Sequence, residues 1–137
     1  MSISINTAFA NELLKPFNTV FSEGVLKLYS APVADNADVA TATGDELVTI
    51  NLPATPFTAP SGAAISRNGA WSGFADAAGT AAYYRITGNV ALGFGSHVKQ
   101  GTVSVAGAGG DLELDNVVMS VGSFVNVVSA NITQPKS

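Results

Sequence analysis

The stretch Val105 to Asn116, VAGAGGDLELDN, sets three glycines directly ahead of three acids, residue types that could cradle a phosphate or hold a divalent cation. A phosphate cradle needs the G-x-G-x-x-G spacing of a dinucleotide site or the Lys-Ser/Thr pair that ends a P-loop. In both, a helix follows and aims its N-terminus at the anion. GAGGDL lacks the third glycine, no Lys-Ser or Lys-Thr follows, and DLELD alternates as a strand. The alternation places Leu112 and Leu114 on a core face and Asp111, Glu113 and Asp115 on the other. Acids two residues apart on a strand lie ~6.5–7 Å from one another, too far to converge on an ion whose ligands sit at ~2.3–2.6 Å. No metal and no cofactor is expected. The acidic face is either solvated or a complement to basic groups on a partner, and the residues leave both open. Gly107, Gly109 and Gly110 are expected to supply positive φ at a strand-to-strand corner.

His97 is the single histidine, so a Ser-His-Asp triad would have to pass through it, and no serine stands in a Gly-x-Ser-x-Gly elbow. A carboxylate pair for glycoside hydrolysis is set by the fold and has no marker here. The expectation is a protein with no catalytic residues, not an enzyme. In Tyr83 to Arg85, YYR, strand alternation turns Tyr83 and Arg85 to one face, suited to an interface or to half-exposure, and Tyr84 and Ile86 to the core.

Phe9, Leu13, Phe17, Val20 and Phe21 recur at helical spacing after Asn6 and Thr7, either of which could cap. Residues 7–21 therefore read as one amphipathic helix, kinked or divided at Pro16. Beyond Gly24 the pattern becomes short strands rich in Val, Ile, Thr and Tyr: 25–30, 46–52, 80–87, 98–106, 111–115, 117–121 and 123–133. That is the signature of an antiparallel sandwich or barrel. Residues 1–6 are expected to form an N-terminal arm or strand, and 7–137 a single β-sandwich domain. Two long loops, 31–45 and 53–79, interrupt the strands, the second with room for a short strand around Trp71. Long loops of this kind commonly carry function. The second brings Phe57, Ile65, Arg67 and Trp71, which with Tyr83 and Arg85 are the candidate partner contacts. Phe57, Trp71 and Tyr83 would be the anchors, and Trp71 reads equally well as core.

The chain has 137 residues, of which 12 % are charged, and a net charge of −4. So thin a charge suits a surface embedded in contacts. The acidic balance argues against nucleic acid, and no apolar run reaches the ~18–20 residues of a membrane span. Cysteine is absent, which removes disulfides and fits a reducing compartment. The N-terminus has no basic segment leading into an apolar one, so it does not read as a secretory signal, and NIT at Asn131 reads as chance.

Taken in order, ANELL, GVLKLYSAPVADNAD, TGDELVTINL, AAGTAAYYRI, QGTVSVAGAGGDLELDN and VGSFVNVVSANIT, spanning about residues 10–133, resemble small capsid-associated proteins of tailed bacteriophages. Among these the chain is most similar to the cement, or decoration, proteins. The resemblance implies a jelly-roll-like β-sandwich on the outer capsid surface of the virion, made in the bacterial cytoplasm. It also implies that the protein stabilises an HK97-like shell by bridging copies of the phage major capsid protein, as a dimer or trimer at a local symmetry axis. ALGFGSH (91–97) has no counterpart in that pattern. Another virion component, a tail or head-fibre module binding a glycan, is the alternative, and a β-sandwich hydrolase working around Asp111, Glu113 and Asp115 is a further rival.

Overall fold

The Asn6 carboxamide accepts the Phe9 backbone N–H at 2.9 Å, satisfying one of the donors a helix start leaves unpaired. Helix α1 runs Thr7–Leu14, and α2 runs Pro16–Val20 with Pro16 in its first turn. The expected division at Pro16 is thus present, because a proline there gives up an N–H that has no intrahelical partner anyway. The buried face is the expected one in α2, where Phe17, Val20 and Phe21 meet the core, and differs from it in α1. There Ala10 and Leu14 are buried while Phe9 and Leu13 are exposed, a rotation of about one residue that lets polar side chains do the docking. Asn11 Oδ1 accepts the Ala63 N–H at 2.9 Å. Asn18 donates to the Phe57 carbonyl and accepts the Phe57 N–H, each at 2.9 Å.

The structure, a computed structural model, describes residues 4–33, 36–38 and 46–135. Residues 1–3 of the expected arm and most of the first long loop lie outside these. The strands are β1 (Val25–Ser30), β2 (Glu46–Asn51), β3 (Ala64–Ile65), β4 (Ser72–Phe74), β5 (Gly79–Thr87), β6 (Val98–Val105), β7 (Leu112–Leu114), β8 (Val118–Met119), β9 (Phe124–Ala130) and β10 (Ile132–Thr133). One sheet follows the order β2-β1-β5-β6-β7-β9-β4, with β8 added to β5, while β3 and β10 pair separately. An antiparallel bridge from Val48 to Ala75 and the Asp76 N–H on the Leu47 carbonyl at 2.8 Å bring β4 back to β2. The protein is mostly β, and its mixed sheet is nearly closed.

Alternation fills the interior of that sheet. Leu26 and Leu28 stand opposite Ile50 and Val48 on one side and Ile86 and Tyr84 on the other, and all six are buried with Leu112, Leu114, Val125 and Val127. The outer side of β5 is covered too. Tyr83 is buried against Tyr29, the rings stacked at 4.9 Å, so only part of the expected two-faced split of this strand holds. The second long loop is likewise packed. Phe17, Phe57 and Trp71 form a run of edge-to-face contacts at 5.9 and 5.4 Å, and Asn68 Nδ2 donates to the Thr55 carbonyl.

One pairing departs from the antiparallel expectation. β6 and β7 are parallel, Val103 opposite Leu112 and Val105 opposite Leu114, although only residues 106–111 connect them. Parallel neighbours usually need a crossover of about a dozen residues or more. Here the chain doubles back on itself. The Ala108 N–H closes a turn onto the Val105 carbonyl, Gly110 N–H donates to Ser104 Oγ at 2.8 Å, and Asp111 accepts from the Thr102 N–H and hydroxyl at 3.0 and 3.1 Å. The chain then reverses again into β7. A Cβ on Gly110 would sit within 2.9 Å of Ser104, so glycine is required there for close approach. Gly107 and Gly109 take the expected positive φ, 87° and 90°.

Candidate interaction surface

The glycine-acid stretch is occupied by the protein itself. The Glu113 carboxylate accepts the N–H groups of Gly107 and Gly109 at 3.0 and 3.1 Å through one oxygen, and the Ser129 hydroxyl at 2.9 Å through the other. The loop is an anion nest whose anion comes from β7. The Gly109 N–H and the Ser129 hydroxyl, opposed by burial and helped by the Gly107 N–H, hold the Glu113 carboxyl below the usual carboxylate range. With Asp111 bound to Thr102, two of the three acids brace the parallel pair, while Asp115, just past β7, is exposed. Among the described residues no group of three His, Asp or Glu side chains is placed to hold a metal ion.

His97 lines a groove of about 520 Å³ together with Phe17, Val20, Asp38, Ser96 and Lys99. The residue types of a triad meet here, but not its geometry. The imidazole packs edge-on to Phe94 at 5.3 Å, and among the described residues no hydrogen bond ties it to Asp38 or Ser96. Lys99 reaches past the groove, donating to the Tyr84 hydroxyl and lying 4.9 Å from that ring's centroid. Burial lowers the Lys99 ammonium, with Asp111 opposing. Burial, aided by the Asp111 charge, raises the Tyr84 phenol, which therefore keeps its proton.

Of the six residues expected to contact a partner, Phe57, Ile65, Trp71 and Tyr83 are at most 3 % exposed. As partner contacts they are corrected by the fold, because their surface is spent on the core, which is the alternative reading already open for Trp71. Arg67 is half-buried, donating to the Val128 and Gly69 carbonyls at 3.0 and 2.9 Å. Arg85 donates to Gln100 Oε1 at 2.8 Å and to the Asn36 carbonyl at 3.0 Å. Both clamp backbone or a neighbouring strand.

The outward aromatics lie elsewhere, Phe9 on α1 and Phe74 and Phe124 on the sheet. β4 and β9 pair with Ser72 opposite Asn126, Gly73 opposite Val125 and Phe74 opposite Phe124. Val125 and Val127 point into the core, so alternation turns Phe124 and Asn126 out. The Phe74 and Phe124 rings meet at 5.6 Å and 63°, and remain 66 % and 59 % exposed. The turn that feeds β9 is closed by the Ser123 N–H on the Ser120 carbonyl and the Ser120 N–H on Ser123 Oγ. It is tied to β4 by the Ala75 N–H on the Ser123 carbonyl and the Gly122 N–H on the Ala75 carbonyl, each at 2.8 Å. Val121 sits at its tip, 73 % exposed. Together the three side chains form an apolar patch on well-bonded backbone. Phe74 escaped sequence reading because it stands in a loop whose other aromatics are core. Phe124 escaped because SFVNVV is apolar on both faces.

No protein-family model, curated protein or solved structure matches this chain.

Proposed function

We propose that this protein is a structural virion component, a cement or decoration protein that binds the outer surface of an HK97-like phage capsid and bridges neighbouring major capsid proteins. The observation that carries the reading is the Phe74–Phe124 pair, held outward on two hydrogen-bonded strands. It is supported by the resemblance of the sequence segments, by the thin charge, and by acids engaged in bracing a loop. On this reading the nearly closed sheet is a jelly-roll-like sandwich, and the protein acts as a dimer or trimer at a local symmetry axis, performing no catalysis.

The mechanism is mass action. A protein that binds the assembled shell in preference to its alternatives stabilises that shell, by about 2.7 kcal/mol per site at a free concentration 100 times Kd. Small contacts repeated over a lattice suffice through effective concentration. Mixing the purified protein with undecorated shells should give co-sedimentation and a raised shell melting temperature. No binding at high protein concentration would refute the reading.

A second reading is favoured by the same pair, since exposed aromatic rings beside the polar Asn126 also suit a sugar. A tail or head-fibre module would bind a glycan array and leave shells in the supernatant.

A further inference from the structure

We infer that the Phe74–Phe124 face receives a partner segment in which an apolar side chain is flanked by lysine or arginine, and that copies of this chain do not pair through it. Under the reading above, that segment belongs to the major capsid protein.

Area and charge carry the inference. The two rings leave roughly 250 Å² of apolar surface exposed, taking ~200 Å² for each phenylalanine. Two copies meeting ring to ring would bury about 500 Å², well short of the ~1,200 Å² at which stable interfaces begin. One projecting side chain and its neighbours fit such a patch. Acids flank the face in sequence, and the nearest base, Arg67, is tied to the Val128 and Gly69 carbonyls. Asp76, exposed, lies two residues beyond Phe74, and Asp115, exposed, follows Leu114, whose register partner on β9 is Val127. The pairing ends there, so Asp115 leaves the sheet one residue past the partner of Val127, which is three residues along β9 from Phe124. Neither 68–84 nor 100–135 contains a lysine or arginine, so the strands and turn that build the face offer no cation of their own. A second copy would oppose acid to acid, which costs affinity, whereas a basic flank gains it.

The test titrates the isotope-labelled full chain, at low salt, with two capped synthetic peptides, one with phenylalanine between lysines and one with it between glutamates. The lysine peptide should shift the Phe74, Val121 and Phe124 resonances and bind at least about tenfold more tightly than the glutamate peptide. Asp76→Asn with Asp115→Asn should collapse that ratio towards one. Phe74→Ser with Phe124→Ser should abolish both responses while the melting temperature is kept. Equal binding of the two peptides, shifts confined to another face, or no shifts at millimolar peptide would each overturn the inference. So would dimerisation in the ultracentrifuge that the double serine variant removes. Shell sedimentation separates this from the capsid reading. Selection of the lysine peptide without shell binding sinks only the capsid role, and shell binding unchanged by the double serine variant sinks only this assignment.

Discussion

Phe57 and Trp71 meet edge to face at 5.4 Å and 79°, and Phe74 and Phe124 meet at 5.6 Å and 63°. The geometries are close to interchangeable, yet the first pair is buried and the second mostly in solvent. What differs is the surrounding backbone. The loop holding Phe57 and Trp71 is drawn under the helices by Asn18 and Asn11. Phe74 and Phe124 sit on paired strands whose alternation has already given the interior to Val125 and Val127. An aromatic pair does not by itself distinguish a core from an interface. The hydrogen bonds around it decide whether the chain folds over it or holds it out.

The comparison breaks most visibly at Trp71. Trp71→Ala should lower unfolding free energy by about 3–5 kcal/mol, read by urea titration, whereas removing the outer pair should not. Trp71→Phe should cost clearly less. The indole Nε1–H is buried with no hydrogen-bond partner among the described residues, and leaving such a group unpaired opposes folding by ~1–3 kcal/mol. Equal losses for the two variants would mean that a phenyl ring does not fill the indole's place in the core.

Next comes the tether that separates the two environments. Asn18→Ala strands the Phe57 N–H and carbonyl and should cost about 1–3 kcal/mol. It should also increase hydrogen exchange at Phe57 while leaving Phe124 unchanged. A smaller effect is expected at the glycine loop. Because the folded carboxyl of Glu113 is held below its ordinary value of 4.5, its stabilisation is present above that pH and is lost as pH falls through the lower, folded value. Glu113→Gln should flatten the acid limb of the stability profile, and an unchanged limb would remove this role. Least of all, Phe74→Ser and Phe124→Ser should each alter stability by no more than about 0.5 kcal/mol, as surface substitutions do.

Alternation made the interior legible. Leu112, Leu114, Tyr84 and Ile86 are core as their spacing predicts, and Pro16 divides the helices where its chemistry requires. The parallel β6–β7 pair was not legible. A glycine-rich turn between two strands carries the same local signal whether the chain makes one reversal or two, and the second reversal depends on Asp111 and Glu113 finding Thr102, the loop N–H groups and Ser129. Which aromatic residues face outward was not legible for a related reason. Composition says that Phe57, Trp71 and Tyr83 need cover, and only the fold says that the chain supplies it.

The most direct test of the claim that this protein works through its outward aromatic pair compares wild type with the Phe74→Ser, Phe124→Ser double variant in co-sedimentation with undecorated phage shells. The account predicts that the wild type pellets with the shells, while the variant, folded and melting at the same temperature, stays in the supernatant. Equal pelleting of the two, or failure of the wild type to pellet at all, would contradict it.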